Sequence, residues 1–409
     1  MGYAVLTSTF APGREAASFA APGGCALAVT RVALTDFRSY VWGELCVDAS
    51  PVVLWGANGI GKTNVLEAVS LLSPGRGLRG AKLASLRRNH AAMEANWALS
   101  ATVARESSGE WRIGTGYMPS SPGAQPRRVF HLNDAPADSA EIAELLPLLW
   151  LTPAMDRLFL EGAQLRRRFL DRLVFALVPS HARRSARYER ATAERLRLLR
   201  EGPRRGAWIE ALEKTMSEEG AAINAARLEM IDSLNSELNA RRQQGAFPCA
   251  HLSLAGEAAD GAAEAAVLAE AFAAWRERDR EAGRTHRGAH TIDLEVTHVA
   301  KRSDARECST GEQKALLISI VLANAWVKKK RHGLAPMLLL DEIAAHLDGV
   351  RRAALFEEIL ALHSQAWLTG TDAQLFAALK SRAAFFTIEH GRFVASEGDG
   401  AAPGIAVSG

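Results

Sequence analysis

The chain has 409 residues, of which 48% are hydrophobic and 23% charged, proportions that are ordinary for folded globular proteins. This composition argues against a disordered, collagen-like or disulfide-scaffold protein, and the length favours two or three domains. The net charge of +3 is too small to indicate nucleic-acid binding by itself, so any such surface must be local.

The cysteines and the hydrophobic runs indicate the cellular setting. Cys25, Cys46, Cys249 and Cys308 lie far apart and form no CxxC pair, which argues against a zinc site or a disulfide framework. This usage favours the reducing cytoplasm. The longest apolar runs, such as 315–327, are shorter than the roughly 20 residues of a membrane span, so no membrane partner is expected.

The N-terminal part is predicted to lead from a flexible extension into strands. Residues 1–24 are rich in Ala, Gly, Ser and Pro, and they lack the basic start and apolar run of a signal peptide. Short β-branched runs follow, and the last of them, Pro51–Trp55, is continuously apolar like a strand buried on both faces. Apolar residues recur at helical spacing over Asn64–Leu72, so the predicted order is strand, loop, helix.

The middle of the chain changes from strands to helices. Residues 95–135 show the short runs of further strands, whereas stretches rich in Ala, Leu, Glu and Arg follow over 161–200, 207–242 and 257–282. Glycine and proline breakers separate these stretches, which predicts helices packed antiparallel. Apolar heptads do not persist, so a compact helical arm is expected instead of a long coiled coil.

The C-terminal part returns to alternating strands and helices. Elements are predicted, in chain order, at Ile292–Val299, Gly311–Lys330, Pro336–Leu340, Arg351–His363 and Ala366–Thr369. The tail over 396–409 consists mainly of Gly, Ala and Ser and is expected to be flexible.

A glycine-rich loop between the predicted N-terminal strand and helix carries the most specific chemistry. It matches G-x-x-x-x-G-K-[ST] over Gly56, Ala57, Asn58, Gly59, Ile60, Gly61, Lys62 and Thr63. In such a loop the backbone N–H groups surround phosphate oxygens, the lysine neutralises their charge and the hydroxyl holds Mg²⁺. The next helix, which includes Asn64, directs its positive N-terminus to the same place. The sequence therefore predicts a site for ATP and Mg²⁺.

An acidic pair ends the apolar strand near position 340. Asp341 can complete the Mg²⁺ shell, and Glu342 can polarise a water molecule towards the γ-phosphate. Two carboxylates after a strand could instead cap a helix, and without the glycine-rich loop that interpretation would be favoured. The loop reverses the preference, so Lys62 and Glu342 are the predicted catalytic residues.

A third motif, Cys308–Lys314, lies at the start of an apolar helix. Ser309 can cap this helix, and the free N–H groups after Gly311 can face an anion, although a simple helix cap explains the motif when it stands alone. Together with Glu312 it resembles the signature motif of ABC-type ATPases, and residues 344–348 resemble the loop after their acidic pair. The resemblance implies an ATP-gated dimer, in which Ser309 and Gly311 contact the γ-phosphate bound to the other subunit.

The interval between Lys62 and Ser309 exceeds the helical insert of a transporter ATPase and falls far short of the arms of SMC proteins. Beyond the ATPase motifs, the sequence resembles the RecF family of bacterial recombination-repair ATPases across 29–392. The matching segments are Leu34–Tyr40, Gly61–Ala68, Arg166–Asp171 and Arg306–Ala315.

The RecF resemblance implies a fold class and an activity. The expected fold is α/β, an ABC/SMC-type ATPase head formed by 25–155 and 286–395, with an inserted helical arm over 156–285. The implied function is weak, DNA-stimulated ATP hydrolysis coupled to binding at gapped or junction DNA. The implied partners are RecO and RecR, with which the protein would promote RecA loading in recombinational repair. A cytoplasmic, nucleoid-associated protein is expected.

Two basic regions are candidates for contact with DNA. Residues 161–205 contain 13 arginines and five acidic residues, a local net charge of +8 that could follow a phosphate backbone. Solvated helices with internal ion pairs would explain the charge equally well, and the family resemblance favours DNA. The second region is the loop Gly75–Lys82, with Arg87 and Arg88 after it. The predicted DNA contacts are Arg183, Arg184 and Arg187 in the first region and Arg76 and Arg79 in the second.

The sequence departs from the family pattern in two places. Gly283–His290 replaces the family's Gly-Pro-His-Arg-Asp-Asp, with an aspartate delayed to Asp293, and 367–372 offers no switch histidine of the ABC type. A magnesium-binding glutamine is also not evident. Slow hydrolysis would be consistent with these gaps, and a non-hydrolysing ATP-binding scaffold that recruits partners through the arm is the alternative function.

Overall fold

The computed structural model describes residues 25–88, 96–106, 109–119, 126–201, 206–242, 245–256, 264–389 and 391–396, except for the side chain of His346. The extension predicted over 1–24 and the tail from 397 onwards lie outside these residues. The chain divides into two compact units, one containing the described residues up to Pro153 and from Lys328, and the other spanning Ala154–Val327. The second unit continues beyond the predicted end of the arm at 285.

The first unit contains an entirely antiparallel sheet. Its strands are β1 (Leu27–Phe37), β2 (Tyr40–Cys46), β4 (Trp97–Arg105), β5 (Gly109–Pro119), β6 (Pro126–Leu132) and β7 (Ala135–Pro136). They lie side by side in the order β2-β1-β4-β5-β6-β7. These strands confirm the predicted β-rich segments at 25–54 and 95–135.

The second sheet of this unit is mostly parallel. Its strands are β3 (Val52–Trp55), β8 (Leu148–Leu151), β12 (Met337–Leu340), β13 (Ala366–Gly370), β14 (Ala384–Glu389) and β15 (Arg392–Ala395). The order is β15-β14-β3-β13-β12-β8, and only β15 runs antiparallel to its neighbour. Because β3, β13 and β12 are adjacent and parallel, the residues that follow them meet at one edge of the sheet.

One hydrophobic core joins the two sheets of the first unit. Helices described wholly within this unit are α1 (Lys62–Ser70), α2 (Ser139–Leu145) and α9 (Gly349–Leu362). Leu34 of β1, Leu54 of β3, Val65 of α1 and Leu339 of β12 are all fully buried in this core. Burial of apolar surface contributes about 25 cal/mol of free energy per Å² and is the main force that holds α1 against the two sheets.

The second unit includes the whole range of the predicted arm, 156–285. Its helices are α3 (Ala163–Leu177), α4 (Ser180–Glu201), α5 (Gly206–Ala240), α6 (Ala265–Ala274), α7 (Arg276–Ala282) and the greater part of α8 (Thr310–His332). The helical stretch predicted over 161–200 consists of two helices, α3 and α4, because Pro179 lies between them and cannot donate a backbone hydrogen bond.

A small sheet in the second unit was not expected. Its strands β9 (Ala250–Ala255), β10 (Asp293–His298) and β11 (Ser303–Asp304) pair antiparallel in the order β11-β10-β9. The predicted strand near 292–299 corresponds to β10. Its pairing with β9 places it in the second unit, whereas the sequence assigned it to the head.

The loop that departs from the family pattern is held by buried charges of the second unit. Arg195 is fully buried and donates to Glu213 Oε1 at 2.9 Å and to Asp279 Oδ2 at 2.7 Å. His286 Nδ1 lies 2.9 Å from the other oxygen of the Asp279 carboxylate. The delayed Asp293 accepts two hydrogen bonds, from Nε and Nη2 of one arginine, at 2.8 and 2.6 Å. These contacts give the loop a structural role within this unit.

No helix in the described part of the chain is long and apolar enough to cross a membrane. All four cysteines lie within the described residues, and each is a free thiol.

Candidate nucleotide-binding site

The glycine-rich loop joins β3 to α1 at the carboxyl edge of the parallel sheet. Gly56, Gly59 and Gly61 adopt φ angles of 131°, 84° and 110°, which other residues rarely adopt. A Cβ atom on Gly61 would lie 2.8 Å from Tyr40 Oη, so only glycine fits there. Residues 57–59 of the loop are exposed, so a phosphate group can approach this part of the loop.

Lys62 begins α1, and its side chain folds over the loop. Its ammonium donates to the carbonyl oxygens of Gly56 at 2.6 Å and Ala57 at 2.8 Å. Burial lowers the pKa of Lys62, while the nearby Glu342 and Asp341 carboxylates act in the opposite direction. The ammonium is thus held at the phosphate loop, where phosphate oxygens can compete for it.

The other loop residues predicted to bind nucleotide take different positions. Asn58 is exposed on the loop, whereas Ile60 packs partly buried against the hydrophobic core. Asn64 Nδ2 donates to Ser39 Oγ at 3.0 Å, so its amide also tightens the start of α1.

The two predicted metal ligands meet directly. Thr63 Oγ1 donates to Asp341 Oδ1 at 2.9 Å, although the two residues are far apart in the chain. Mg²⁺ takes oxygen ligands at about 2.1 Å in octahedral geometry, which places neighbouring ligand oxygens about 3.0 Å apart. The observed oxygen separation therefore fits a Mg²⁺ ion held by Thr63 and Asp341.

Glu342 follows Asp341 at the carboxyl end of β12. Its φ of 51° lies in the left-handed region, which costs a non-glycine residue on the order of 1–2 kcal/mol. Its backbone N–H donates to Thr369 Oγ1 at 2.9 Å. The carboxylate is close enough to Lys62 to oppose the lowering of that ammonium's pKa by burial, and it is only partly buried. A carboxylate in this place can accept a proton from water.

Sequence reasoning missed three residues around this site. Thr369 is fully buried and donates to Asp341 Oδ1 at 2.8 Å. Tyr40 Oη donates to the Gly61 carbonyl at 3.3 Å. Glu67 is fully buried in α1. Tyr40 and Glu67 both lie in segments that match the family, which was the available signal. Thr369 was noted only as part of the segment 367–372, which takes the place of the expected histidine.

Glu67 binds two arginines from different loops. Arg38 donates to both Glu67 oxygens, each at 2.8 Å, in a bidentate pair. Arg79 Nη1 donates to Asn64 Oδ1 at 2.9 Å and to Glu67 Oε2 at 3.3 Å. Arg79, a predicted DNA contact, is thus anchored to the helix of the phosphate loop, and Arg76 on the same loop is exposed.

The signature-like turn belongs to the second unit. Ser309 and Glu312 form a capping box, in which Glu312 Oε2 accepts from Ser309 N at 3.1 Å and from Ser309 Oγ at 3.0 Å. The Lys301 ammonium, together with the Ser309 N–H and hydroxyl, lowers the pKa of Glu312 to about 2. Ser309 and Gly311 are exposed, and a Cβ on Gly311 would meet no atom within 4 Å among the described residues. The turn is therefore open for contact.

The arginine-rich stretch is less uniformly exposed than its charge implies. Arg166 and Arg195 are buried in ion pairs of the second unit, so they cannot face DNA. Arg184 and Arg187 both pair with Glu219 of α5, at 3.2 and 2.9 Å, and about half of each side chain is exposed. Arg183 is exposed and has no ion pair within the described residues. Only part of the +8 charge is available to a partner.

Comparisons with known proteins show which family this chain belongs to. The family model described as RecF/RecN/SMC N terminal domain matches residues 28–392. The DNA replication and repair protein RecF of Agrobacterium fabrum is 47% identical over 375 residues, covering 90% of this chain and 99% of the relative. The chain belongs to the RecF family. RecF of Mesorhizobium japonicum is 48% identical over 372 residues, covering 89% of this chain and 96% of the relative.

Solved structures show the same fold as this RecF-family chain. A structure described as the recombination mediator protein RecF-ATPrS in the RecFOR pathway has a TM-score of 0.77 at 21% identity, covering 91% of this chain and 99% of the other. An Smc head bound to the C-winged helix domain of ScpA has a TM-score of 0.53 at 15% identity, covering 90% and 97%. The predicted α/β head of the ABC/SMC type with an inserted helical arm is confirmed.

Proposed function

We propose that this RecF-family chain binds ATP with Mg²⁺ and hydrolyses it slowly as part of DNA repair. The observation that carries the proposal is the contact between Thr63 and Asp341 beside Glu342. If the loop served only to change the direction of the chain, a hydroxyl and two carboxylates would not need to lie together beside it.

Each residue of the site has a distinct task in this proposal. The loop amides and Lys62 bind the phosphates, and Thr63 and Asp341 would hold Mg²⁺. When bound, the ion would supply positive charge beside the transferred phosphate. Glu342 orients the attacking water and accepts its proton. Gly56, Gly59 and Gly61 allow the backbone to approach the phosphates closely.

The exposed turn at Ser309 and Gly311 completes the site of a second molecule. Its hydroxyl and the free amides at the start of α8 suit a γ-phosphate, because a helix N-terminus attracts anions. ATP therefore favours a dimer and hydrolysis releases it, since the ligand binds the dimeric state more tightly.

The DNA-repair purpose rests on the relatives. The RecF proteins from A. fabrum and M. japonicum are named as DNA replication and repair proteins, and the solved RecF-ATPrS structure is described within the RecFOR pathway. We infer that this chain binds gapped or junction DNA and acts with RecO and RecR to load RecA. It would do so in the cytoplasm at the nucleoid.

ATP turnover with and without gapped duplex DNA tests the proposal. We expect slow turnover that rises several-fold with DNA, and loss of both rates in Lys62→Ala, because that variant lacks the charge that holds the phosphates. A chain that binds ATP but shows no turnover above Lys62→Ala, with or without DNA, would instead be the non-hydrolysing scaffold.

The exposed arginines of α4 are the proposed contacts of the arm with DNA. Replacing Arg183, Arg184 and Arg187 with glutamine should weaken DNA binding and reduce the log–log salt slope by about 2 to 3, because each lost phosphate contact releases about 0.9 fewer counterions. Fluorescence anisotropy at several salt concentrations measures both quantities.

A matched control for this experiment lies on the same helix. Arg197→Gln removes an exposed arginine that is paired with two carboxylates, Glu194 and Glu201, so its charge is already compensated and its effect on the slope should be small. Arg184 and Arg187 instead share the single carboxylate of Glu219, which leaves them a net positive charge. An unchanged slope in the triple variant would exclude this face of the arm as the DNA surface.

A further inference from the structure

Thr369 lies between the two strands that build the nucleotide site. It is the fourth residue of β13, where it pairs with Leu54 of β3 on one side, while the preceding Leu368 pairs with Leu340 of β12 on the other. Its side chain is fully buried. The Thr369 hydroxyl therefore approaches Asp341 and Glu342 from within the parallel sheet.

The hydroxyl of Thr369 makes two hydrogen bonds in opposite directions. It donates to Asp341 Oδ1 at 2.8 Å and accepts from the Glu342 N–H at 2.9 Å. A hydroxyl has one proton and two lone pairs, so both bonds form at once with the proton directed to the carboxylate. One side chain thus fixes the carboxylate of Asp341 and the peptide of Glu342.

Both contacts restrict groups that could otherwise adopt several conformations. Asp341 Oδ1 also accepts from Thr63 Oγ1, so two hydroxyl donors hold one oxygen of the carboxylate in place. Glu342 has a left-handed φ of 51°, a conformation that persists only when its surroundings hold it. The hydrogen bond from the Glu342 N–H to Thr369 is such a restraint. It sets the direction in which the Glu342 side chain leaves the backbone.

We propose that Thr369 is a positioning residue for ATP hydrolysis, which orients Glu342 and Asp341 without itself contacting the nucleotide. It performs this task in the segment where the ABC pattern would place a histidine. The inference rests on the proposed function, because it assigns a role only if Glu342 and Asp341 act on ATP.

The test compares Thr369→Val, which keeps the shape but lacks the hydroxyl, with Thr369→Ser, which keeps the hydroxyl. We expect Thr369→Val to lower kcat about 10- to 100-fold, because misplacing a catalytic group costs rates of this order. KM for ATP and the dissociation constant of a non-hydrolysable ATP analogue should change less than about 3-fold, since the phosphate loop is intact. Thr369→Ser should recover kcat to within about 3-fold of the unmodified protein.

A second readout does not depend on rates. After incubation with ATP and gel filtration, Thr369→Val should retain a larger share of its bound nucleotide as ATP than the unmodified protein does. Thr215→Val is the matched control, because the Thr215 hydroxyl donates to the Ala211 carbonyl of its own helix, α5, at 3.1 Å, and the same substitution there should leave kcat unchanged. If Thr369→Val fails to fold, Thr369→Ala takes its place, with folding of each variant checked by its thermal unfolding midpoint.

The outcomes separate this inference from the proposed function. If the unmodified protein hydrolyses ATP and Thr369→Val has the same kcat, the positioning role is excluded while the ATPase stands. Equal loss in Thr369→Val and Thr369→Ser, or a rise in the analogue dissociation constant that matches the fall in kcat, would also exclude it. No turnover by the unmodified protein would refute the proposed function itself.

Discussion

Glu342→Gln is expected to reduce ATP turnover at least about 100-fold while leaving ATP bound, because an amide cannot accept the proton of the attacking water. Glutamine has nearly the same size as glutamate, so the backbone contact with Thr369 should persist. Asp341 remains beside Lys62, which keeps a carboxylate near the ammonium that binds the phosphates. The trapped ATP should hold molecules together, so the dimer fraction in sedimentation velocity should rise.

A control for this variant is the same chemical change on the protein surface. Glu357 lies on α9 and pairs with Arg382, and exposed ion pairs of this kind contribute about 0–1 kcal/mol. Glu357→Gln should therefore keep the unmodified turnover and dimer fraction. Rapid turnover by Glu342→Gln would contradict the assignment of the base, whatever its effect on the dimer.

Local sequence patterns were sufficient to predict the strand, loop and helix that form the candidate nucleotide site. The run Pro51–Trp55 had to be a buried strand because it contains no polar residue, and the glycines after it fit only a loop that turns sharply into a helix. The structure confirms this order with β3 and α1. The second buried strand, β12, was predictable for the same reason, and its end carries Asp341.

Contacts between distant segments were not predictable in the same way. Thr369 was a threonine at the end of an apolar strand, and nothing local indicated that its hydroxyl would meet the Glu342 peptide. The pairing of Glu67 with Arg38 and Arg79 likewise depends on how three segments pack. Side-chain partners of this type are determined by tertiary packing, which a single sequence does not display.

The arm shows how composition can mislead. Its high content of Ala, Leu, Glu and Arg favours helices, and this hid β9, although Ala250–Ala255 alternates apolar and polar residues as a strand does. Charge counting also overestimated the exposed basic surface, because Arg195 neutralises acidic groups inside the unit. Composition does not tell which side chains are buried, and burial determines both where β9 forms and how many arginines are exposed.

Ser309→Arg is expected to abolish the increase in dimer that ATP causes. Ser309 is exposed at the start of α8, and the adjacent Gly311 has open space around it, so this turn can approach a neighbour's nucleotide closely. A long arginine side chain would fill that space and hold the two molecules apart. Sedimentation velocity with and without ATP should then give the same dimer fraction, and turnover should fall at least about 10-fold, since misplacing a reacting group by 1 Å already costs about 100-fold.

The substitution also removes a helix cap, which must be separated from the loss of contact. Ser309→Ala lacks the same cap, at a cost of about 1 kcal/mol, and also lacks the hydroxyl, but it adds no bulk and keeps the free amides, so it should lose only part of the ATP-dependent dimer. Ser180→Arg places the same arginine at the exposed start of α4 and should dimerise normally. If Ser309→Arg still dimerises with ATP, the turn does not complete the site of a second molecule. The hydrolytic role of Glu342 would survive that result, because it depends only on groups within the first unit.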